Sequence, residues 1–369
     1  MAEITVAMVK ELRERTQAGM SDCKNALKEA DGDMAKAVEV LQKKGAIKTA
    51  KAAGKIAAEG AVSALVDGGA GVVIELNCQT DFVARGDDFK DLLKALTTAA
   101  LAHGTGDAAA LEAVSIDGVT FKERIDGLTA RSGEKHALRR VSLFQGAAGA
   151  HLHTYVHSNF RIGVLVEVAS SNVGDARVVD FADDVCLQVA SMAPRFLDKS
   201  EVPADVVAKQ REIFSAQMDK EDAEAAAAPG EFLTRVQSLI AERAQEEGRE
   251  IGDMDAAVKA HFEQSEKDRA TLDGFKKAAD KAKGRAPTAK EKILDGKVAK
   301  WLTEIVLLDQ ISVKESNTAI SKVQSNVAAA VPGTKVVRFV RYEVGEGIDK
   351  GQAKDFATEV AEMAAQAKG

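Results

Sequence analysis

Little of this 369-residue chain is aromatic, 4%, which argues against gripping single-stranded nucleic acid through stacked bases. A formal net charge of −7 argues against nucleic acid more broadly, because such affinity comes from lysine and arginine neutralising phosphates. No apolar run approaches the length that crosses a bilayer, so no membrane partner is expected. The opening MAEITVAMVKELRERT has no apolar signal core and is not the Arg- and Ser-rich, acid-poor type of a transit peptide. Cysteines number only three, Cys23, Cys78 and Cys186; odd in number and widely spaced, they suit reduced thiols in a cytosol. A cytoplasmic protein is expected.

Nucleotide and metal motifs are missing too. No G-x-x-x-x-G-K-[ST] occurs, because Gly54-Lys55 and Gly296-Lys297 lack the upstream glycine. GEGIDKG (345–351) has the wrong glycine spacing for a dinucleotide fingerprint, and Glu346 and Asp349 would repel a phosphate. It reads as a glycine turn, and no direct nucleotide binding is expected. Cys78 near a strand end, with His151, His153 and His157 alternating along another strand, admits a nucleophile pair. A half-exposed strand with core thiols accounts for the same residues. No Cys-x-x-Cys set accompanies the histidines, so neither metal nor cofactor is expected.

What remains is organised. The length suggests two or three domains. Residues 1–45 punctuate themselves as three short helices: Val6, Val9 and Leu12 before Gly19; a second capped by Ser21 and stopped at Gly32; a third capped by Asp33 and ending before Gly45. AIKTAKAAGKIAAEG (46–60) then reads as a basic, Ala-rich linker. This module carries Arg13, Arg15, Lys24, Lys28, Lys43, Lys44, Lys48 and Lys51. They form either a solvated face or a footprint for an acidic partner helix or RNA.

A repeat follows. GVVIEL (71–76) and GVLVEV (163–168) share Gly-Val-apolar-apolar-Glu-apolar, and each is followed at the same distance by Phe-x-Asp, at 89–91 and 181–183, opening an amphipathic helix. RFVRYEV (338–344), with DFATEVAEMAAQ (355–366), reads as a weaker third copy. The expected fold class is α+β, with two repeated subdomains, each holding a small antiparallel sheet. Asp67-Gly68-Gly69 is the clearest hairpin turn. ADVVAKQREIFSAQM and TAKEKILDGKVAKWLTEIVLL read as two arms of a protruding helical hairpin or coiled coil. The stretch 219–280 between them has few large apolar residues and reads as solvated and mobile, with EDAEAAAAPGE as a joint.

Residues 77–85, NCQTDFVAR, set Asp81 and Phe82 side by side in a turn after a strand. A solvated turn normally avoids a phenylalanine, and a core avoids the aspartate beside it. Either the pair is built to enter another protein, or Phe82 caps a cluster under the loop while Asp81 caps the following turn.

VKELRERTQAGMSDCKNALKEADGDMAKAVEVLQKKG (9–45) resembles the ubiquitin-associated-like N-terminal domain of the elongation factor Ts family. NCQTDFVAR resembles that family's signature, RIGVLVEV its second-subdomain strand, and RFVRYEVGEGI its C-terminal strand and turn. The resemblance implies a guanine-nucleotide exchange factor for elongation factor Tu, without catalytic chemistry of its own. It would bind the GDP-bound and nucleotide-free GTPase. Thr80, Asp81, Phe82 and Val83 would dislodge the magnesium ion, Arg13, Met20 and Lys24 would dock the N-terminal module, and His157 would face the GTPase's other domains. Two departures stand out: SNF (158–160) where the family often has a glycine-rich turn, and about sixty extra residues between the helical arms. Expected boundaries are 1–54, 55–145, 146–202, 203–298, 299–345 and 346–369. The alternative function is a helical adaptor that binds a ubiquitin-like partner or RNA through residues 1–45.

Overall fold

The computed structural model describes residues 4–349 other than 17, 284 and 285, and its fold is α+β. Three helices come first: α1 (Val6–Thr16), α2 (Met20–Glu29) and α3 (Met34–Ala53). Their apolar faces close a small core of Val9, Leu12, Cys23, Ala26, Leu27 and Ala37. Asp33 caps α3, accepting from the Ala35 and Lys36 amides at 2.9 and 3.1 Å. Two boundaries depart from expectation. The residue capping α2 is Gly19, and Ser21 lies inside the helix. Nor does α3 stop at Gly45; it continues to Ala53, over the first half of the expected linker, and buries Ala52. There Thr49 donates its hydroxyl to the Asp126 carbonyl at 3.4 Å, and a Cβ on Gly45 would rest 3.5 Å from that of Ala130. Alanine and lysine favour helix, and this packing overrides the glycine stop.

Strands β1 (Glu59–Asp67) and β2 (Ala70–Cys78) form an antiparallel hairpin across Gly68-Gly69. Next come α4 (Asp81–Ala84), α5 (Asp87–Ala102), α6 (Ala108–Ala113), the short pair β3 (Ser115–Ile116) and β4 (Val119–Thr120), and α7 (Phe121–Ser132). Strand β5 (Ala137–Gln145) completes a sheet of order β1-β2-β5. The second half opens with β6 (Ala150–Val156), β7 (Ile162–Ala169) and α8 (Ala176–Met192). Four further helices intervene: α9 (Ala204–Glu246), α10 (Met254–Gln264), α11 (Glu266–Lys283) and α12 (Pro287–Ile305). Then α13 (Ile320–Ala330) and β8 (Lys335–Glu343) finish a sheet of order β6-β7-β8. No helix among the described residues is long and apolar enough to cross a membrane.

Each central strand is buried on both faces, which is why GVVIEL and GVLVEV read as near-continuous apolar runs. On one face of the first sheet Ile74 and Leu76 pack with Phe89, Leu96, Phe121 and Ile125 from the helices. The other faces of the two sheets meet through Val62, Val73, Phe144, Leu152, Leu165 and Tyr342. The repeat glycines permit this approach. A Cβ on Gly71 would come within 2.6 Å of Leu165, and one on Gly163 within 3.1 Å of Val73.

The repeat glutamates are buried, and they bind reciprocally. Both sit at a register shift in their strand, after Glu75 and after Glu167. Glu75 pairs with Arg140 of β5 at 2.5 Å, and Glu167 with Arg338 of β8 at 2.6 Å. Arg140 lies over the Tyr342 ring at 4.1 Å, and Arg338 over the Phe144 ring at 4.2 Å. Each arginine also donates across the sheets, Arg140 to the Glu343 carbonyl at 2.9 Å and Arg338 to the Gln145 carbonyl at 3.0 Å. RFVRYEV is therefore no third copy of the central strand. It is the second-half counterpart of RRVSLFQ in β5, with an arginine and an aromatic four residues on. The helix expected over 355–366 lies outside the described residues.

The described residues form two compact units: one up to Leu197 together with 311–349, the other Asp198–Gln310. Within the second unit, α9 runs without a break through EDAEAAAAPGE, with Pro229 inside it. The expected joint is thus helix, as its run of alanine and glutamate favours. The few large apolar residues concentrate on packed faces: Phe232 meets Phe275 at 5.6 Å and Phe262 at 6.4 Å, while Val236 and Leu272 are buried. Arms α9 and α12 are tied by Arg211 to Asp295 at 2.5 Å and by a Lys290–Asp219 ion pair.

Candidate functional site

Strand β2 ends at buried Cys78, and the next turn is fastened from several sides. Thr80 is the N-cap of α4, its hydroxyl accepting from the Val83 amide at 3.4 Å. The carboxylate of Glu134 takes the Thr80 hydroxyl at 2.8 Å and the Thr80 amide at 3.1 Å. The Cys78 thiol donates to the Thr80 carbonyl at 3.1 Å. Downstream, Ala84 is buried and Val83 half-buried in the core under α5. Asp81 pairs with Arg85 one turn on, at 2.7 Å. Phe82 points outward, 81% exposed. It caps no cluster beneath the loop, and the residue capping the turn is Thr80, not Asp81.

Burial, with Glu134 and then Glu59 adding to it, pushes the Cys78 thiol up to about 12. A thiol so placed stays protonated at neutral pH and is no nucleophile. Cys186 is likewise pushed up by burial, and its thiol donates to the His153 carbonyl at 3.6 Å. His151 stacks on His153 at 5.7 Å between ring centres, and His153 lies 3.5 Å from Asp183. Burial, then His153, holds His151 below the ordinary histidine range. Among the described residues no group of three His, Cys, Asp or Glu side chains is arranged to hold a metal ion.

His157 is exposed at the end of β6, sharing a 2.8 Å hydrogen bond with the Tyr155 hydroxyl. Its turn is tied to the sheet end that carries Thr80. Arg161 pairs at 2.5 Å with Glu59, the β1 residue opposite Cys78. On the N-terminal module Arg13, Met20 and Lys24 are all exposed, with Met20 and Lys24 one turn apart on α2. Part of the module's basic charge is matched internally, Lys48 by Asp22 at 3.2 Å and Lys44 by Glu29 at 2.5 Å. Sequence reasoning misses Glu134. It lies 54 positions from Thr80, and a hydrogen bond over that distance leaves no periodic signal.

Fold and site first define a class: a duplicated α+β protein behind a three-helix module, displaying an exposed aromatic on a capped, hydrogen-bonded turn. The family model described as elongation factor TS matches residues 79–346. Relatives named elongation factor Ts align over nearly the whole chain. That of Thioalkalivibrio sulfidiphilus is 36% identical over 368 residues, 99% of each chain, and that of Lacticaseibacillus casei 35% identical over 361 residues, 98% of each. That of Clostridium botulinum is 36% identical over 364 residues, covering 98% of this chain and 99% of the relative. The chain belongs to the elongation factor Ts family.

Proposed function

We propose that this protein is the guanine-nucleotide exchange factor of elongation factor Tu in cytoplasmic translation, acting through contact rather than covalent chemistry. The observation that carries the reading is Phe82, 81% exposed on a turn held by Thr80 and Glu134. Magnesium in a GTPase requires near-octahedral oxygen ligation that bridges the nucleotide phosphates to the protein. A factor needs only to stabilise a GTPase conformation in which that ligation is poor. Phe82 enters as an apolar wedge, and its burial contributes about 2–3 kcal/mol. The backbone of its turn is hydrogen-bonded beforehand, so less ordering is required on contact. Asp81 is held by an exposed ion pair of small worth, which leaves its carboxylate available to a partner amide. Arg13, Met20 and Lys24 dock the N-terminal module. Whatever the factor takes from nucleotide affinity, nucleotide takes from the factor's affinity, so incoming GTP expels it.

The test is Phe82→Ala, followed by GDP release from elongation factor Tu and by thermal unfolding. The expected outcome is an unchanged melting temperature, since an exposed side chain loses no packing, with slower release at saturating factor. A titration separates the roles, because Kd reports docking through α1 and α2 and the saturating rate reports the loop. Normal release by the variant would sink the wedge.

A further inference from the structure

Phe160 closes the turn between β6 and β7 with φ +57°, in the left-handed region where a bulky side chain crowds its own backbone. The turn determines that conformation through its backbone. The Phe160 amide donates to the His157 carbonyl at 2.7 Å and the His157 amide to the Ile162 carbonyl at 2.9 Å. The Arg161 amide donates to Asn159 Oδ1 at 3.0 Å, and the Phe160 carbonyl accepts from the Val62 amide at 2.8 Å. A glycine would satisfy every one of these bonds without crowding. Nor does the side chain gain much inside this chain, for it is 55% exposed. Strained backbone and a large exposed apolar group coincide at one residue, as at sites completed by another molecule.

Its position says which molecule. Val62 and Glu59 belong to one short stretch of β1, and Glu59 lies opposite Cys78, from which the Phe82 turn departs. The Phe160 turn is fastened to that stretch twice, at Val62 by its own carbonyl and at Glu59 by Arg161. We infer that Phe160 is a second apolar anchor on the same GTPase, seated in an apolar surface pocket while Phe82 is engaged. This rests on the partner being elongation factor Tu.

The experiment uses the full-length chain and nucleotide-free elongation factor Tu. Phe160→Gly is expected to leave the melting temperature unchanged or higher, by relieving the left-handed strain, and to raise Kd about tenfold. Phe160→Leu keeps an apolar group and is expected to retain most of the affinity. A melting temperature several degrees lower for Phe160→Gly overturns the inference, since the ring would then be packing within this chain. An unchanged Kd overturns it as well, and if a self-associated form dissolves at the same time the occupant is a second copy of this chain. Failure of the unsubstituted protein to bind elongation factor Tu overturns the functional reading itself, and this inference with it.

Discussion

The two oxygens of Glu134 hold the Thr80 amide and hydroxyl, and with them the backbone of the turn that carries Phe82. Removing them leaves the turn with its cap and its burial of Ala84 but without its outer clamp. Glu134→Ala is expected to lower stability by about 1 kcal/mol, as for a half-exposed hydrogen-bonded carboxylate. GDP release should slow several-fold, because the wedge must then be ordered on contact. Glu134→Gln keeps one acceptor oxygen and should recover part of the rate. Melting curves and stopped-flow release on the two variants check this. If Glu134→Ala exchanges at the full rate, pre-ordering of the turn is irrelevant to exchange.

Gly71 and Gly163 stand where the central strands cross, each facing the residue two beyond the other, Leu165 and Val73. Gly163→Val would push three carbons against Val62 and Val73 and is expected to destabilise the protein by about 1–3 kcal/mol. Val73→Ala should restore part of that loss, a coupling that chemical denaturation of the double variant measures. The two central strands and their helices are readable because Gly-Val-apolar-apolar-Glu-apolar recurs at constant distance from Phe-x-Asp. The outer strands are less so. RFVRYEV ends in apolar-Glu-apolar and imitates the central strand, whereas its true counterpart RRVSLFQ shares only an arginine and an aromatic four positions on. Gly45 signals a stop that the packing of α3 against α7 overrides, and no local pattern encodes that packing. In the site, Phe82 announces itself as an aromatic misplaced in a turn, while Glu134 and Phe160 become visible only through a distant partner and a backbone angle.

The glutamate locks join the halves of the first unit, and one of them makes its stability respond to acid. Burial alone would raise the Glu75 pKa, but the Gly345 amide, Arg140 and Arg139 together hold it below the ordinary carboxylate value. A folded pKa below the unfolded value of about 4.3 means that stability is fully present above that pH and is lost as pH falls through the folded value. Denaturant unfolding from about pH 6 to about pH 3 should show this loss. Glu75→Gln should remove that part of the acid response while lowering stability at neutral pH by about 1–3 kcal/mol, since Arg139 and Arg140 lose their buried carboxylate although Arg140 keeps Glu346 at 3.3 Å. An acid profile identical in the two proteins would falsify the role given to Glu75. The second sheet also has a history in time. Strand β7 pairs with β8 only after everything between Ala169 and Lys335 has been made, roughly 10–30 seconds at ribosomal speed. Throughout that interval the nascent chain carries β7 with an open edge, and Phe144 waits for Tyr342 and Arg338 to arrive. An open apolar edge is a template for the wrong neighbour. The long helical insertion is therefore expected to delay the assembly of the core, leaving the newly made chain open to mispairing until β8 emerges.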